Sequence, residues 1–232
     1  MNPSSTAVPL HQQLQYYRAR ASEYNEWWLR QGRYDRGAEL NAQWFAEAAE
    51  VAAALAAFRP FGRVLELACG TGNWSEKLLP FATHLTALDG SPEMLAINAA
   101  RFESPRVRYI EADIFQWQPT DQFDTIFFGF WLSHVPPDRF DAFWQLVRAC
   151  LAPGGRVFFV DSRREPTSTA LDHRLPESET PVLTRRLNDG REFQIFKLFY
   201  EPSQLTERLR NLGWHFEIHE TDHYFIHGTG QG

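Results

Sequence analysis

The chain has 232 residues, 44% of them hydrophobic and 22% charged, which suits one sizeable globular domain and excludes a disordered, collagenous or coiled-coil protein. Its net charge of −6 speaks against nucleic-acid binding, which needs a basic surface to displace counterions from phosphates, and no Lys/Arg-rich run supplies one locally. The longest uninterrupted apolar stretch, Val51 to Phe58, falls far short of the about 20 residues of a membrane span. Residues Met1 to Thr6 lack the charged-then-apolar layout of a signal peptide. Cys69 and Cys150 are too few for a disulfide framework, so a cytoplasmic protein is expected. Two features depart from the average. Aromatics make up 15% of the residues, and Lys77 and Lys197 are the only lysines among 23 basic residues. The lysine shortage reads as a composition bias of the source genome and is given no functional weight.

In chain order, Leu10 to Arg30 carries Leu14, Tyr17, Ala21, Tyr24 and Trp28 at spacings of three and four, which predicts one amphipathic helix. Gly32 to Gly37 is a break. Ala38 to Phe58 is a second, alanine-rich helix stopped by Pro60 and Gly62. Short apolar runs then alternate with helical patterns. Strands are expected at Arg63–Leu67, His84–Leu88, Val107–Glu111, Phe123–Phe128 and Arg156–Val160, with helices from Trp74, Ser91-Pro92 and Pro137-Asp138 between them. This alternation predicts an α/β fold around a parallel sheet buried on both faces. Past Asp161, Thr184–Leu187 and Glu192–Tyr200 flank Asn188-Asp189-Gly190 as a β-hairpin. A helix over Pro202–Asn211 and strands at Trp214–His219 and His223–His227 follow, closing the sheet with antiparallel strands.

The chemistry concentrates at the first strand-to-helix turn, Val64-Leu65-Glu66-Leu67-Ala68-Cys69-Gly70-Thr71-Gly72-Asn73, where an open parallel sheet binds ligands. Gly70 and Gly72 let a ligand approach the backbone. Asp89 ends the second strand, where its carboxylate suits ribose hydroxyls, although an acid there also serves as a helix cap. Glu66 in the loop argues against a dinucleotide, because a carboxylate repels a pyrophosphate. It suits a ligand with a cationic amine and no phosphate.

Glu66-Leu67-Ala68-Cys69-Gly70-Thr71-Gly72 resembles the first motif of the class I S-adenosylmethionine-dependent methyltransferases. Leu88-Asp89-Gly90-Ser91-Pro92-Glu93-Met94-Leu95 resembles their second. Asp113-Ile114, Phe123-Asp124 through His134, and Leu151-Ala152-Pro153-Gly154-Gly155 resemble the later ones in order and spacing. The resemblance implies a Rossmann-like, seven-stranded, mostly parallel sheet with helices on both faces and antiparallel C-terminal strands. Residues 1–60 would form a helical cap and residues 61–232 the methyltransferase core, with a hairpin inserted at about 183–200, all in one structural domain. It also implies S-adenosylmethionine as cofactor and S-adenosylhomocysteine as product. Glu66 and the Ala68 carbonyl would hold the methionine amine, and Gly70 and Gly72 would pack under the cofactor. Asp89, with Gly90 beside it, would bind the ribose. Met94 and Ile114 would sandwich the adenine, Asp113 would take its exocyclic amine, and Phe128 would border the methionine part. Ala68 departs from the family's usual glycine.

The expected reaction is methyl transfer to an oxygen or nitrogen of a small, planar or lipophilic molecule, in the manner of secondary metabolism. The alternatives are carbon methylation of the quinone-biosynthesis type and a non-catalytic cofactor-binding module. The position after strand four reads Gly129-Phe130-Trp131-Leu132 rather than the Asn/Asp-Pro-Pro-Tyr/Phe of nucleic-acid methyltransferases. Tyr24, Trp28 and Trp131 are candidate acceptor contacts, since aromatic faces exclude water and tolerate a cation. His134 is the candidate general base. Arg163 and Arg164 follow strand five and suit an acidic substrate. His215, His219, His223 and His227 recur every four residues, but on strands this spacing gives a solvated face and no metal site is expected. No membrane or nucleic-acid partner is expected, and the chain is read as a monomer or homodimer.

Overall fold

In the computed structural model, which describes residues 4–175 and 181–232 with side chains from residue 10 onward, strands and helices alternate as the apolar runs predict. Residues 1–3 of the expected cap lie outside the described residues. Three helices come first: α1 (Ser4–Arg20), α2 (Tyr24–Trp28) and α3 (Ala38–Phe58). The alternating core follows as β1 (Gly62–Leu67), α4 (Ser75–Leu78), β2 (Ala82–Asp89), α5 (Pro92–Arg101), β3 (Val107–Glu111), β4 (Phe123–Gly129), α6 (Phe140–Cys150) and β5 (Leu151–Ser162). The chain then forms the hairpin β6 (Val182–Arg186) and β7 (Glu192–Phe196), then α7 (Pro202–Asn211), β8 (His215–Glu220) and β9 (Phe225–Gln231).

Seven strands form one sheet in the order β3-β2-β1-β4-β5-β9-β8, with β9 antiparallel to both of its neighbours and the other core pairs parallel. Strand order reverses at β1 and β4, so their C-terminal ends open a crevice. Helices cover both faces, which is why Val64, Leu65 and Leu67 are all fully buried. Side-chain alternation sends Ile126 and Phe128 of β4 into the layer of α6 and α7, with Phe143, Trp144, Leu205 and Leu209. Phe127 goes to the opposite layer, with Val51 and Leu55 of α3 and with Phe158. At the start of α5, Ser91 caps the helix by accepting from the Met94 N–H at 3.2 Å, with Pro92 in the first turn. No helix among the described residues is long and apolar enough to cross a membrane.

The first helix differs from the single Leu10–Arg30 element that periodicity predicts: it ends at Arg20 and resumes as the short α2. The bend brings α2 onto the first strand-to-helix turn. There the Asn25 side-chain oxygen accepts from Thr71 Oγ1 at 2.7 Å and from Asn73 Nδ2 at 3.1 Å. The same bend stacks Trp27 edge-on against Phe130, with centroids 4.8 Å apart. Tertiary contacts of this kind override local periodicity. The hairpin is shorter than expected and forms its own two-stranded sheet. It lies against α1, where Gln12 Oε1 accepts from the Gln194 N–H at 2.9 Å and Gln13 Oε1 from the Phe196 N–H at 3.0 Å. Those glutamines occupy a strand edge that would otherwise present unpaired N–H groups. β5 also runs longer at both ends than expected. His223 sits in the turn before β9 rather than on the strand, with its Nδ1 3.1 Å from Glu47 Oε1.

Candidate active site

Three cavities meet above the carboxyl ends of β1, β4 and β5. The largest, about 350 Å³, runs from Met94, Asp113 and Ile114 past Asp89 and Gly90 to Ala68, Gly70 and Gly129, and is roofed by Leu10, His11, Gln13 and Leu14 of α1. Asp89 Oδ2 accepts from the Gly70 N–H and Oδ1 from the Ser91 N–H, each at 2.9 Å. This fixes the carboxylate in the cavity wall, and burial raises its pKa to about 6. Asp113 is held in the same way by the Phe115 N–H and the Gln116 side chain. A side chain at Gly70 would meet nothing within 4 Å, so that flank of the loop is open to a ligand. Ala68 adopts a left-handed φ of 53°, the conformation that favours the glycine usual at this place.

A small adjoining hole of about 20 Å³ is lined by Glu66, Ala68, Gly70, Tyr24, Trp28, Gly129 and Phe130. That is room for about one water-sized group, such as an ammonium. Glu66 is buried beside it, accepts a hydrogen bond from Ser75 Oγ at 2.5 Å and forms no ion pair with a described residue. Burial raises its pKa to about 8, the Ser75 bond opposes the rise and the Asp89 charge adds to it. An acid lacking a cation next to an ammonium-sized hole, joined to an elongated cavity with a carboxylate at mid-length, fits S-adenosylmethionine. Its amine would reach Glu66 and its ribose Asp89.

Several sequence-predicted residues lie elsewhere. Phe128 is fully buried in the α6–α7 layer, stacked on Phe159 at 5.9 Å, and does not border the cavity. The alternation of β4 turns it away and leaves Gly129 and Phe130 at the wall. Gly72 faces the protein instead of a ligand: a side chain there would meet Asn98 Oδ1 and Phe102 Cε2 at 2.8 Å, so it serves helix packing. Trp28 is absent from the large cavity, and packs against Trp44, Trp74 and Phe130 at the edge of the small hole. Arg163 is tied to the Thr221 and Asp222 carbonyls and to Glu220 at 2.9 Å, so it staples the β8–β9 turn. Arg164 lies over the Phe199 ring and lines none of the three cavities. Tyr24 and Trp131 do line the large cavity.

A third chamber of about 70 Å³ lies beside the others, with Tyr24 and Phe130 in the walls of all three. Tyr16, Tyr17, Tyr34, Arg20, Arg185, Lys197 and His134 also line it. Phe130, at φ 56°, is held by its N–H donating to the Val160 carbonyl at 2.7 Å. His134 is buried, and its Nδ1 lies 2.5 Å from the Phe196 carbonyl. A carbonyl only accepts, so Nδ1 carries the proton and Nε2 is left to receive the Tyr17 hydroxyl at 2.8 Å. Burial and the Lys197 charge hold the imidazole well below its ordinary pKa, so it is neutral. Arg20, Arg185 and Lys197 have no counterpart in the motif reading. The one available signal was Lys197, a lysine kept in an arginine-rich chain.

Residues 64–155 match the family described as Methyltransferase domain. The chain is 32% identical over 221 residues to the ubiquinone biosynthesis O-methyltransferase of Xanthomonas campestris pv. campestris (strain B100), covering 90% of this chain and 83% of that protein. To the protein of the same name from Xanthomonas euvesicatoria pv. vesicatoria (strain 85-10) it is 32% identical over 166 residues, 67% of this chain and 63% of that one. Among solved structures, a DhpI-SAM-HEP complex is 40% identical, superposes with a TM-score of 0.80, and is matched over 99% of this chain and 100% of its own. With the seven-stranded sheet and the fitted cavity, these similarities make the enzyme a member of the class I S-adenosylmethionine-dependent methyltransferases.

Proposed function

We propose that this methyltransferase transfers the methyl group to an oxygen of a small acceptor lodged in the third chamber. The observation that carries the reading is the junction: Tyr24 and Phe130 are shared by the cofactor cavity, the ammonium-sized hole and the third chamber. When bound, S-adenosylmethionine supplies an electrophilic methyl on a sulfonium. Glu66 and the Ala68 carbonyl hold the amine end, Asp89 the ribose, Met94 and Ile114 the adenine faces, and Asp113 the adenine amine. The rings of Tyr24 and Phe130 exclude water at the junction and tolerate positive charge on their faces. The similarity to the Xanthomonas ubiquinone biosynthesis O-methyltransferases favours oxygen over nitrogen or carbon.

His134 in this reading is a positioning residue. Its neutral ring orients the Tyr17 hydroxyl at the chamber wall, and its lone pair is already engaged. The test is transfer of labelled methyl to small oxygen, nitrogen and carbon acceptors, with the product identified by mass and by sensitivity to base. O-linked label supports the reading. C-linked label, or cofactor binding with no transfer to any acceptor, contradicts it.

A further inference from the structure

The third chamber is charged in one direction. Arg20, Arg185 and Lys197 line it, and no Asp or Glu does among the described residues. Lys197 is compensated from behind: its Nζ donates to Ser133 Oγ at 2.8 Å, Ser162 Oγ at 3.2 Å and Asp161 Oδ1 at 3.3 Å. Asp161 in turn accepts from the Ser133 and Ser162 N–H groups, so this network is complete. Among the described residues, neither arginine has such a carboxylate partner. Arg20 is 8% exposed, its Nη2 donates to the Tyr34 hydroxyl at 3.1 Å, and its Nε is buried with no acceptor among the described residues. Its guanidinium faces the Tyr16, Tyr24 and Tyr34 rings at 5.0–5.7 Å. Arg185, projecting from β6 of the hairpin, forms no ion pair with a described carboxylate, and burial and the Arg20 charge lower its pKa. The tyrosines do not neutralise the pair, because burial raises Tyr16, Tyr17 and Tyr24 and keeps them as phenols. His134 and His173 are neutral for the same reason.

Two like charges brought out of water without a counter-ion are unfavourable, and an anion between them relieves both the repulsion and the lost solvation. We infer that the acceptor is a small oxyanion, a carboxylate or a tetrahedral phosphorus oxyanion, held by Arg20 and Arg185 and methylated on one of its own anionic oxygens. The inference rests on the O-methylation reading above and supplies its substrate class. Guanidinium forks match paired anionic oxygens. The chamber, at about 70 Å³, admits roughly five water-sized groups, which suits a compact acid head and leaves little room for a bulky neutral ring.

The chemistry then needs no base. An oxygen lone pair of the acceptor forms the O–CH3 bond while the S–CH3 bond breaks, with that bond's electrons staying on sulfur. The sulfonium becomes a neutral thioether, the acceptor loses one negative charge, and no proton is released. This agrees with a His134 whose accepting nitrogen is already taken by Tyr17.

The test is calorimetric titration of the enzyme, with and without S-adenosylhomocysteine, using methylphosphonate, succinate and neutral catechol as probes. Wild type is expected to bind at least one of the two anions and not catechol; which anion binds distinguishes a tetrahedral from a carboxylate acceptor. Arg185→Gln and Arg20→Gln are expected to weaken the anion about tenfold or more, with S-adenosylhomocysteine affinity unchanged within twofold as evidence of folding. Arg185→Lys is expected to restore part of the loss. Anion binding that is indifferent to both arginines, or O-methylation of catechol unaffected by Arg185→Gln, overturns the inference and leaves O-methylation standing. Failure of wild type to bind S-adenosylhomocysteine overturns both.

Discussion

Glu66 ties ligand recognition to pH. Folded Glu66 holds its proton up to about pH 8, whereas an ordinary glutamate releases it near 4.5. Between those values the folded state binds more protons than the unfolded state, so this residue makes stability fall as pH rises through the window. Glu66→Gln removes the effect, and thermal melts of the free protein are expected to show a flatter pH dependence between about 4.5 and 8. The same substitution is expected to weaken S-adenosylhomocysteine about tenfold or more by calorimetry, since a neutral amide loses a charge-assisted bond to the amine. An unchanged affinity would remove Glu66 from the amine site. Ala68 gives the complementary case. At φ 53° it bears a left-handed strain that glycine lacks, partly offset by glycine's freer unfolded chain. Ala68→Gly is expected to stabilise by up to about 1 kcal/mol without loss of cofactor affinity. His134→Gln separates orientation from proton removal. A positioning role predicts a rate within tenfold of wild type and an unshifted pH profile, whereas loss of a general base costs about 10²–10⁴.

Among the elements, β4 divides structural from ligand-facing residues by one step of alternation. Phe128→Leu is expected to cost about 1–2 kcal/mol in denaturant unfolding while leaving S-adenosylhomocysteine affinity within twofold, because the ring packs on Phe143 and Phe159 and not on the cavity. A large affinity loss would return Phe128 to the site. Gln13 joins three elements: its side chain donates to the His134 carbonyl at 3.2 Å and accepts from the Phe196 N–H at 3.0 Å. Gln13→Ala strands both buried groups and is expected to cost about 1–3 kcal/mol. The central strands were legible from the sequence because a parallel sheet covered on both faces requires continuous apolar runs, as the fully buried Ile126–Phe128 and Val157–Val160 show. The placing of Gly70, Asp89 and Asp113 around one crevice was legible because turn chemistry at strand tips is local, whereas Met94 was reached only through the resemblance of its motif. The break at Arg20, the inward Phe128 and the outward Arg163 were not legible, since each depends on what another element places opposite it. Arg20 and Arg185 lie more than 160 residues apart in sequence, so no spacing rule links them.

At the scale of the whole molecule, much of the aromatic excess is core, as around Phe128, Phe143, Trp144 and Phe159, but two groups of rings frame the site. Trp27, Trp28, Trp44, Trp74 and Phe130 form a continuous ring cluster beneath α2 that holds the junction in place. Tyr16, Tyr17, Tyr24 and Tyr34 line the chamber instead. The acidic net charge of −6 coexists with a basic chamber because its arginines are enclosed, so steering of large polyanions is weak while a small anion is met at close range. The central claim is that the cavity over β1 and β2 is built for S-adenosylmethionine and its product. Calorimetric titration of S-adenosylhomocysteine into wild type and Asp89→Asn tests it most directly: one molecule is expected to bind per wild-type chain, with affinity at least tenfold weaker in the variant, whose amide cannot accept from both the Gly70 and Ser91 N–H groups. Absence of binding to wild type, or equal binding to both proteins, would contradict it.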